Sequence, residues 1–214
     1  MFQSKRLPGR DGTLRLRASG NRGPAAVKPV RGRARVGSEG WTAFLISQAQ
    51  ERSPGIYLNH PGPDRIRRNE VSLIVIVTDF IGSGGRIATM LDKFLAVPSV
   101  RAWRSNRWIE FAVVAAAGTR AGIQSVRQHR AIPTVLVTHV VSSLATFPDR
   151  GLVEMWRGLT RRYGALQARG AGPEGYKDGG ALVAFSYRTP NNTPLLLHQG
   201  DRSWRPLFRG PPDD

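Results

Sequence analysis

The chain contains no cysteine. That excludes a disulfide framework, a thiol nucleophile and a thiolate metal site, and nothing in it calls for an oxidising compartment. Histidine is scarce at four residues, and acids are outnumbered, 15 Asp and Glu against 32 Lys and Arg. Ligands for a protein-held metal are therefore few, and no metal site is expected. Long apolar runs are also missing, so no segment reaches the roughly 20 residues a membrane helix needs. Residues 1–10 carry charge with no apolar core behind them, which predicts no secretory leader. A soluble, cytoplasmic protein without a membrane partner is expected. At 214 residues the chain can build one well-buried α/β domain with extensions.

What is abundant is arginine, and the formal net charge is +17. Residues 1–36 hold ten Lys and Arg against the single Asp11 and mix them with Gly, Pro and Ser, as in Arg31-Gly32-Arg33-Ala34-Arg35. Such a segment buries too little apolar surface to offset its chain entropy, so a disordered basic arm is expected there. Arg31, Arg33 and Arg35 suit the phosphates of RNA or single-stranded DNA; a solvated tail without a role is the alternative. The expected organisation is arm 1–36, domain 37–210 and tail 211–214.

The stretch VSLIVIVTDFIGSGGRIATMLDKFL, from Val71 to Leu95, organises the rest. Val71 to Val77 is apolar, β-branched and of strand length, without the alternation that marks a wet face, and reads as a buried parallel strand. It ends at Asp79, passes through Gly82-Ser83-Gly84-Gly85, and continues into Ile87, Met90, Leu91, Phe94 and Leu95 at helical spacing. Strand, glycine loop and helix are the order of a phosphate site, because glycines let backbone N–H groups face an anion at the positive end of a helix dipole. Asp79 at the strand's carboxyl end adds an acceptor for sugar hydroxyls.

Thr78-Asp79-Phe80-Ile81-Gly82-Ser83-Gly84-Gly85-Arg86 resembles the ribose-phosphate-binding motif of type I phosphoribosyltransferases: an apolar strand, two acids, three residues, then Thr/Ser-Gly-Gly/Lys-Thr. The resemblance implies ribose-phosphate binding by Thr78, Asp79, Gly82, Ser83, Gly84, Gly85 and Arg86, with Asp79 as the catalytic residue and Mg2+ arriving on the ligand's pyrophosphate. Thr78 stands where the family has its first acid, and Arg86 where it has the closing Thr. The first departure removes a carboxylate; the second keeps the backbone cradle and adds a cation. Binding survives this better than catalysis. Phe80-Ile81-Gly82-Ser83-Gly84 also resembles the S-adenosylmethionine turn of DNA amino-methyltransferases, whose partner tetrapeptide is absent here. A P-loop would need a lysine at the end of the loop. A plain tight βα turn is the remaining reading.

Around this centre, the pattern predicts a helix from Ser38 to Arg52, a short strand over 55–58, a turn-rich loop through His60 and a basic connection at Arg65, Arg67 and Arg68. A second basic connection is expected over 98–107, strands over 108–117 and 132–141, and between them a helix over 118–130 with Ile123 and Val126 inward. A helix over 149–166 follows, with Asp149 as its cap and Leu152, Met155, Trp156, Leu159 and Tyr163 as its core face. A last strand is expected over 181–187. The alternation implies an α/β fold: a parallel central sheet with helices on both faces, of the type I phosphoribosyltransferase kind, with its ligand at the carboxyl ends of the strands.

After that last strand, Thr189-Pro190-Asn191-Asn192-Thr193-Pro194-Leu195 and Ser203-Trp204-Arg205-Pro206-Leu207-Phe208 look like the closing segment of bacterial phosphoribosyltransferase-like proteins found beside nucleases, reverse transcriptases and other genome-conflict genes. Gly175-Tyr176-Lys177-Asp178-Gly179-Gly180 matches that family's glycine-rich lead-in. The two resemblances together cover residues 70 to 210. They imply a sugar-phosphate or nucleotide ligand, with Asn191 and Asn192 at a second site, and protein partners in a defence or mobile-element complex. A rigid turn is the plain alternative for the two asparagines. A nucleic-acid-binding, non-enzymatic module is the competing class.

Overall fold

The computed structural model describes residues 38–59, 61–164, 172–187, 189–200 and 205–208. The expected basic arm with Arg31, Arg33 and Arg35, the tail 211–214 and His60 lie outside these residues. The order of elements is α1 (Ser38–Arg52), α2 (Pro63–Arg68), β1 (Leu73–Ile81), α3 (Gly85–Leu95), α4 (Pro98–Ser105), β2 (Glu110–Thr119), α5 (Arg120–Arg127), β3 (Thr134–Val141) and α6 (Arg150–Gly164). The strands form one parallel sheet in the order β1-β2-β3, and the fold is α/β.

Two compact units divide the chain. The first takes residues through Thr78 with Arg86–Val114 and Val126–Leu136; the second takes Asp79–Gly85, Ala115–Ser125 and the residues from Val137 onward. Each strand thus gives its amino-terminal part to the first unit and its carboxyl-terminal part to the second.

The core of the first unit follows the apolar spacing of its elements. Ile87, Leu91, Phe94 and Leu95 of α3 are buried, and the Phe94 ring lies 5.8 Å from that of Phe111 on β2. α4 occupies the expected basic connection over 98–107. Pro98 takes its first helical position, where a missing N–H costs nothing, and Val100 and Trp103 three residues apart bury its inner face. α2 forms the same way behind Gly62, with Pro63 at its start and Ile66 buried. Residues 55–58 form a turn and an irregular segment instead of a strand: Gly55 takes φ +86°, and among the described residues no strand pairs with the segment.

In the second unit, α6 begins as expected: the Leu152 N–H donates to Asp149 Oδ1 at 2.9 Å. Its buried face is different. Val153 and Thr160 point inward, while Met155, Leu159 and Tyr163 are exposed. The inner stripe packs on the 3-10 turn Leu195–Leu197, whose three leucines are buried, and Thr160 satisfies its hydroxyl on Arg157 O within the helix. Residues 182–184 are not a strand. An isolated antiparallel bridge joins Ala181 to Ser143, with Leu182 N–H donating to Ser142 O and Leu144 N–H to Gly180 O.

Strand residues differ sharply in burial: Phe111 is 2 % exposed, whereas Leu136 on β3 is 57 % exposed. Phe111→Ala should cost about 3–5 kcal/mol, the range for emptying a packed aromatic site. Leu136→Ala should stay within about 0.5 kcal/mol, as exposed substitutions do. Urea unfolding of both variants checks this, and a large loss at Leu136 would mean that β3 is covered.

Candidate functional site

The glycine loop starts where β1 stops. Ile81, its last residue, is buried, and the Cβ position at Gly118 on β2 lies 3.1 Å from Ile81 Cβ, so the two strand ends are in contact. Thr119, the last residue of β2, donates its hydroxyl to Gly82 O at 2.7 Å and accepts the Gly122 N–H at 3.0 Å. The loop therefore sits at the carboxyl edge of the parallel sheet, where ligands of such sheets bind.

Close approach explains two of the glycines. A Cβ on Gly122 would overlap the Gly82 carbonyl, and a Cβ on Gly82 would overlap the Asn192 carboxamide. The closing segment has come back across the loop. Pro190 O accepts the Thr193 N–H at 3.1 Å, a turn with Asn191 and Asn192 at its centre. Asn192 is 6 % exposed; its Nδ2 donates to Tyr176 O at 3.1 Å, and its carbonyl accepts the Ala181 N–H at 2.9 Å. Asn191 is exposed and gives its backbone carbonyl to the Tyr176 N–H at 2.7 Å. Of the two asparagines singled out in the sequence, Asn192 thus reaches the glycine loop itself, and Asn191 shapes the turn.

The remaining expected residues are ordered along the loop. Ser83 Oγ accepts the Gly85 N–H at 3.4 Å, and Gly84 takes φ +77° just before α3. Asp79 is half-buried; its Oδ1 accepts the Phe80 N–H at 2.8 Å and its Oδ2 the Tyr187 hydroxyl at 3.2 Å. Thr78 is half-buried within β1, and Arg86 is exposed in the first turn of α3.

Three participants were missed in the sequence. Tyr187 joins Asp79 from 108 residues away. Lys177, held at φ +54°, brings its ammonium to 3.6 Å from the Cβ position of Gly85 and lies 5.7 Å from the Tyr176 ring centre. Thr119 locks Gly82. None carries a local signal; the one hint was that Lys177 falls inside the glycine-rich lead-in. Among the described residues, no three His, Asp or Glu side chains gather as metal ligands.

A family model matches residues 42–209, a span that contains the glycine loop, Asp79 and the closing segment. The chain belongs to the PRTase-CE family. It is a phosphoribosyltransferase-like protein. The match begins within α1, so the PRTase-CE region extends well ahead of the two motifs. No curated protein and no solved structure matches the chain.

One titrating group supports the closing segment. His198 is buried, with Nε2 at 3.1 Å from Thr193 O, while Nδ1 has no hydrogen-bond partner among the described residues. Nε2 therefore carries the proton and donates. Burial pushes the pKa of His198 below its ordinary 6.5, against the smaller opposite pull of the Thr193 carbonyl. The folded state thus favours the neutral ring. Its contribution to stability is complete above 6.5 and is lost as pH falls from there through the lowered folded value. Thermal melts between pH 8 and 5 should show this decline, and His198→Gln should flatten it; an unaltered slope in the variant would disprove the assignment.

The packing of Asn192 on Gly82 predicts coupling. Gly82→Ala should cost about 1–3 kcal/mol by overpacking, and Asn192→Ala about 1 kcal/mol from the lost bond to Tyr176. The double variant should be less destabilised than the sum by about 1–2 kcal/mol, because removing the carboxamide makes room for the methyl. Strict additivity in urea titrations would place the clash elsewhere.

Proposed function

We propose that this PRTase-CE chain binds a ribose phosphate, as phosphoribosyl pyrophosphate or a nucleotide, at the carboxyl end of β1. Asp79 receives the sugar hydroxyls, and the backbone of the Gly82–Gly85 loop receives the phosphate. The observation that carries this reading is the seating of Asn192 on Gly82, since it joins the two motifs whose resemblance had been independent. Lys177 beside Gly85 supports it with a cation where the phosphate charge would fall. Mg2+ would arrive on the ligand's pyrophosphate, where it would supply charge neutralisation, and no residue of this chain is assigned to hold it.

The role we assign is ligand recognition with weak or absent ordinary salvage turnover. With Thr78 at the first acidic position, one carboxylate of the family pair is missing from the sequence. We further propose that the protein is an effector or accessory component of a bacterial defence or mobile-element system. The resemblance of the 189–208 segment to conflict-associated proteins supports this, and the company of a reverse transcriptase, nuclease or ATPase gene, against a nucleobase salvage operon, distinguishes the two settings.

Calorimetry with phosphoribosyl pyrophosphate and Mg2+, with ribose 5-phosphate and with S-adenosylmethionine tests the site. The first two should bind and the third should not, and Asp79→Asn should weaken sugar-phosphate binding about tenfold or more, the worth of a charge-assisted hydrogen-bond acceptor. Binding of S-adenosylmethionine alone would overturn the reading, and pyrophosphate release with a common nucleobase would overturn the assignment of weak turnover. Thr78→Asp tests whether the missing acid is the cause.

A further inference from the structure

The turns that lead into the three strands carry charge that the ribose-phosphate site does not use. α2, α4 and α5 directly precede β1, β2 and β3, and in a parallel sheet the strand starts share one edge. The Glu110 N–H donates to Ser72 O at 2.8 Å and Arg104 Nε to Ala131 O at 2.9 Å, so the three connections lie side by side. Each turns through a left-handed residue: Glu70 at φ +50°, Arg107 at +58° and Ile132 at +48°. Val71 N–H to Ile66 O at 3.0 Å, Trp108 N–H to Trp103 O at 2.9 Å and Ile132 N–H to His129 O at 2.8 Å close the turns. Glycine or asparagine takes this conformation at least cost, and at the middle turn an arginine stands there instead.

α2 ends in Arg65 and Arg68, α4 in Arg104 with Arg107 behind it, and α5 in Arg127 with Arg130 behind it. Cations at a helix C-terminus offset its dipole, but each end carries only about half a negative charge against a pair of arginines. Dipole compensation therefore accounts for a minor part of them. Arg130 is engaged by Asp92, its Nη2 2.6 Å from Oδ1, and Arg104 by Ala131 O. Arg65, Arg68, Arg107 and Arg127 are exposed, and among the described residues no ion pair or side-chain hydrogen bond engages them. Glu70 and Glu110 are the acids at these turns, and the edge stays positive.

Such an edge fits a polyanion. Arginine alone supplies the charge at these turns, and a guanidinium both holds a phosphate through two parallel bonds and stacks on an unpaired base. Neighbouring strands are about 4.8 Å apart, so the three turns span about 10 Å, a width that suits one phosphate backbone. Trp108, half-buried and next to Arg107 in the chain, is a ring of the kind that bases stack on and carboxylates do not need. We infer that the amino-terminal edge of the sheet binds single-stranded nucleic acid, with Arg65, Arg68, Arg107 and Arg127 on its phosphates. Contacts of this kind read charge, so binding tolerates changes of sequence and weakens steeply with salt. The surface stands apart from the ribose-phosphate reading and uses none of its residues.

The test is fluorescence anisotropy of a labelled oligothymidine of about 20 nucleotides, longer than one site of this kind needs, titrated with the full chain over a range of salt. Residues 1–36 are present in every variant, so their charge is common to all. Arg68→Gln combined with Arg107→Gln should reduce the slope of log affinity against log salt by about 1.4, and affinity near 0.1 M salt about twentyfold, the worth of two phosphate contacts. Arg68→Lys with Arg107→Lys keeps both charges and should keep the slope. Arg161→Gln with Arg162→Gln removes the same charge from α6 and should leave the slope unchanged. Urea unfolding of the edge variant should match the wild type, since the two side chains are exposed and unpaired among the described residues. An unchanged slope in the edge variant, an equal loss in the α6 variant, or no binding of the oligonucleotide at low salt would overturn the inference. Tighter binding of the same oligonucleotide as a duplex, or equal binding of polyglutamate, would overturn the assignment to single strands. None of these outcomes bears on sugar-phosphate binding.

Discussion

The absence of a side chain at Gly82 is the constraint on which the second unit depends. Three parts of the chain use the space: the Thr119 hydroxyl bonds its carbonyl, the backbone at Gly122 lies against that carbonyl, and the Asn192 carboxamide occupies the place of a Cβ. One hydrogen atom thus lets the end of β1, the start of α5 and the closing segment meet. Such contacts resist small changes because packed interiors have little spare volume. The loop is held by its surroundings, and its shape does not rely on the intrinsic preference of a glycine-rich sequence.

The neighbouring acid is held in the same manner. Asp79 accepts the amide of the next residue on one oxygen and the Tyr187 hydroxyl on the other, which orients the carboxylate. A pre-oriented acceptor saves the ordering cost that a free side chain would incur on binding. Lys177 has a comparable arrangement at the other end of the loop: a left-handed backbone at residues 177 and 178 and the ring of Tyr176 bring its ammonium towards Gly85.

The parts of this architecture that are legible in sequence are those set by local pattern. The alternation at the start of β2 and the spacing of Ile87, Leu91 and Phe94 each report burial within a few residues, and the structure agrees with them; β1, read as buried without a wet face, alternates instead, with Ile74 and Ile76 buried and Val77 exposed. α2 and α4 were obscured by the prolines that begin them, since proline signals both a loop and the first turn of a helix. The face of α6 was misjudged because five large apolar side chains outweigh one valine and one threonine in any periodicity argument, whereas geometry turns Val153 and Thr160 towards Leu195–Leu197. In the site, Asp79 and the glycines were legible as a motif. Their partners Thr119, Tyr187 and Asn192 are distant in sequence, and no local rule links residues so far apart.

That distance fixes an order of events on the ribosome. The loop leaves the exit tunnel early in synthesis, but Thr119, which fastens it, follows 37 residues later, and the Tyr187 that orients Asp79 follows 108 residues after that acid. Long-range closures of this kind are slow because chain entropy must be spent before they return any contact. Until Tyr187 is made, the nascent chain carries Asp79 without that partner. A chain shortened by a few dozen residues would keep all three strands, the glycine loop and Thr119, and would lack the Tyr187 and Asn192 that meet Asp79 and Gly82.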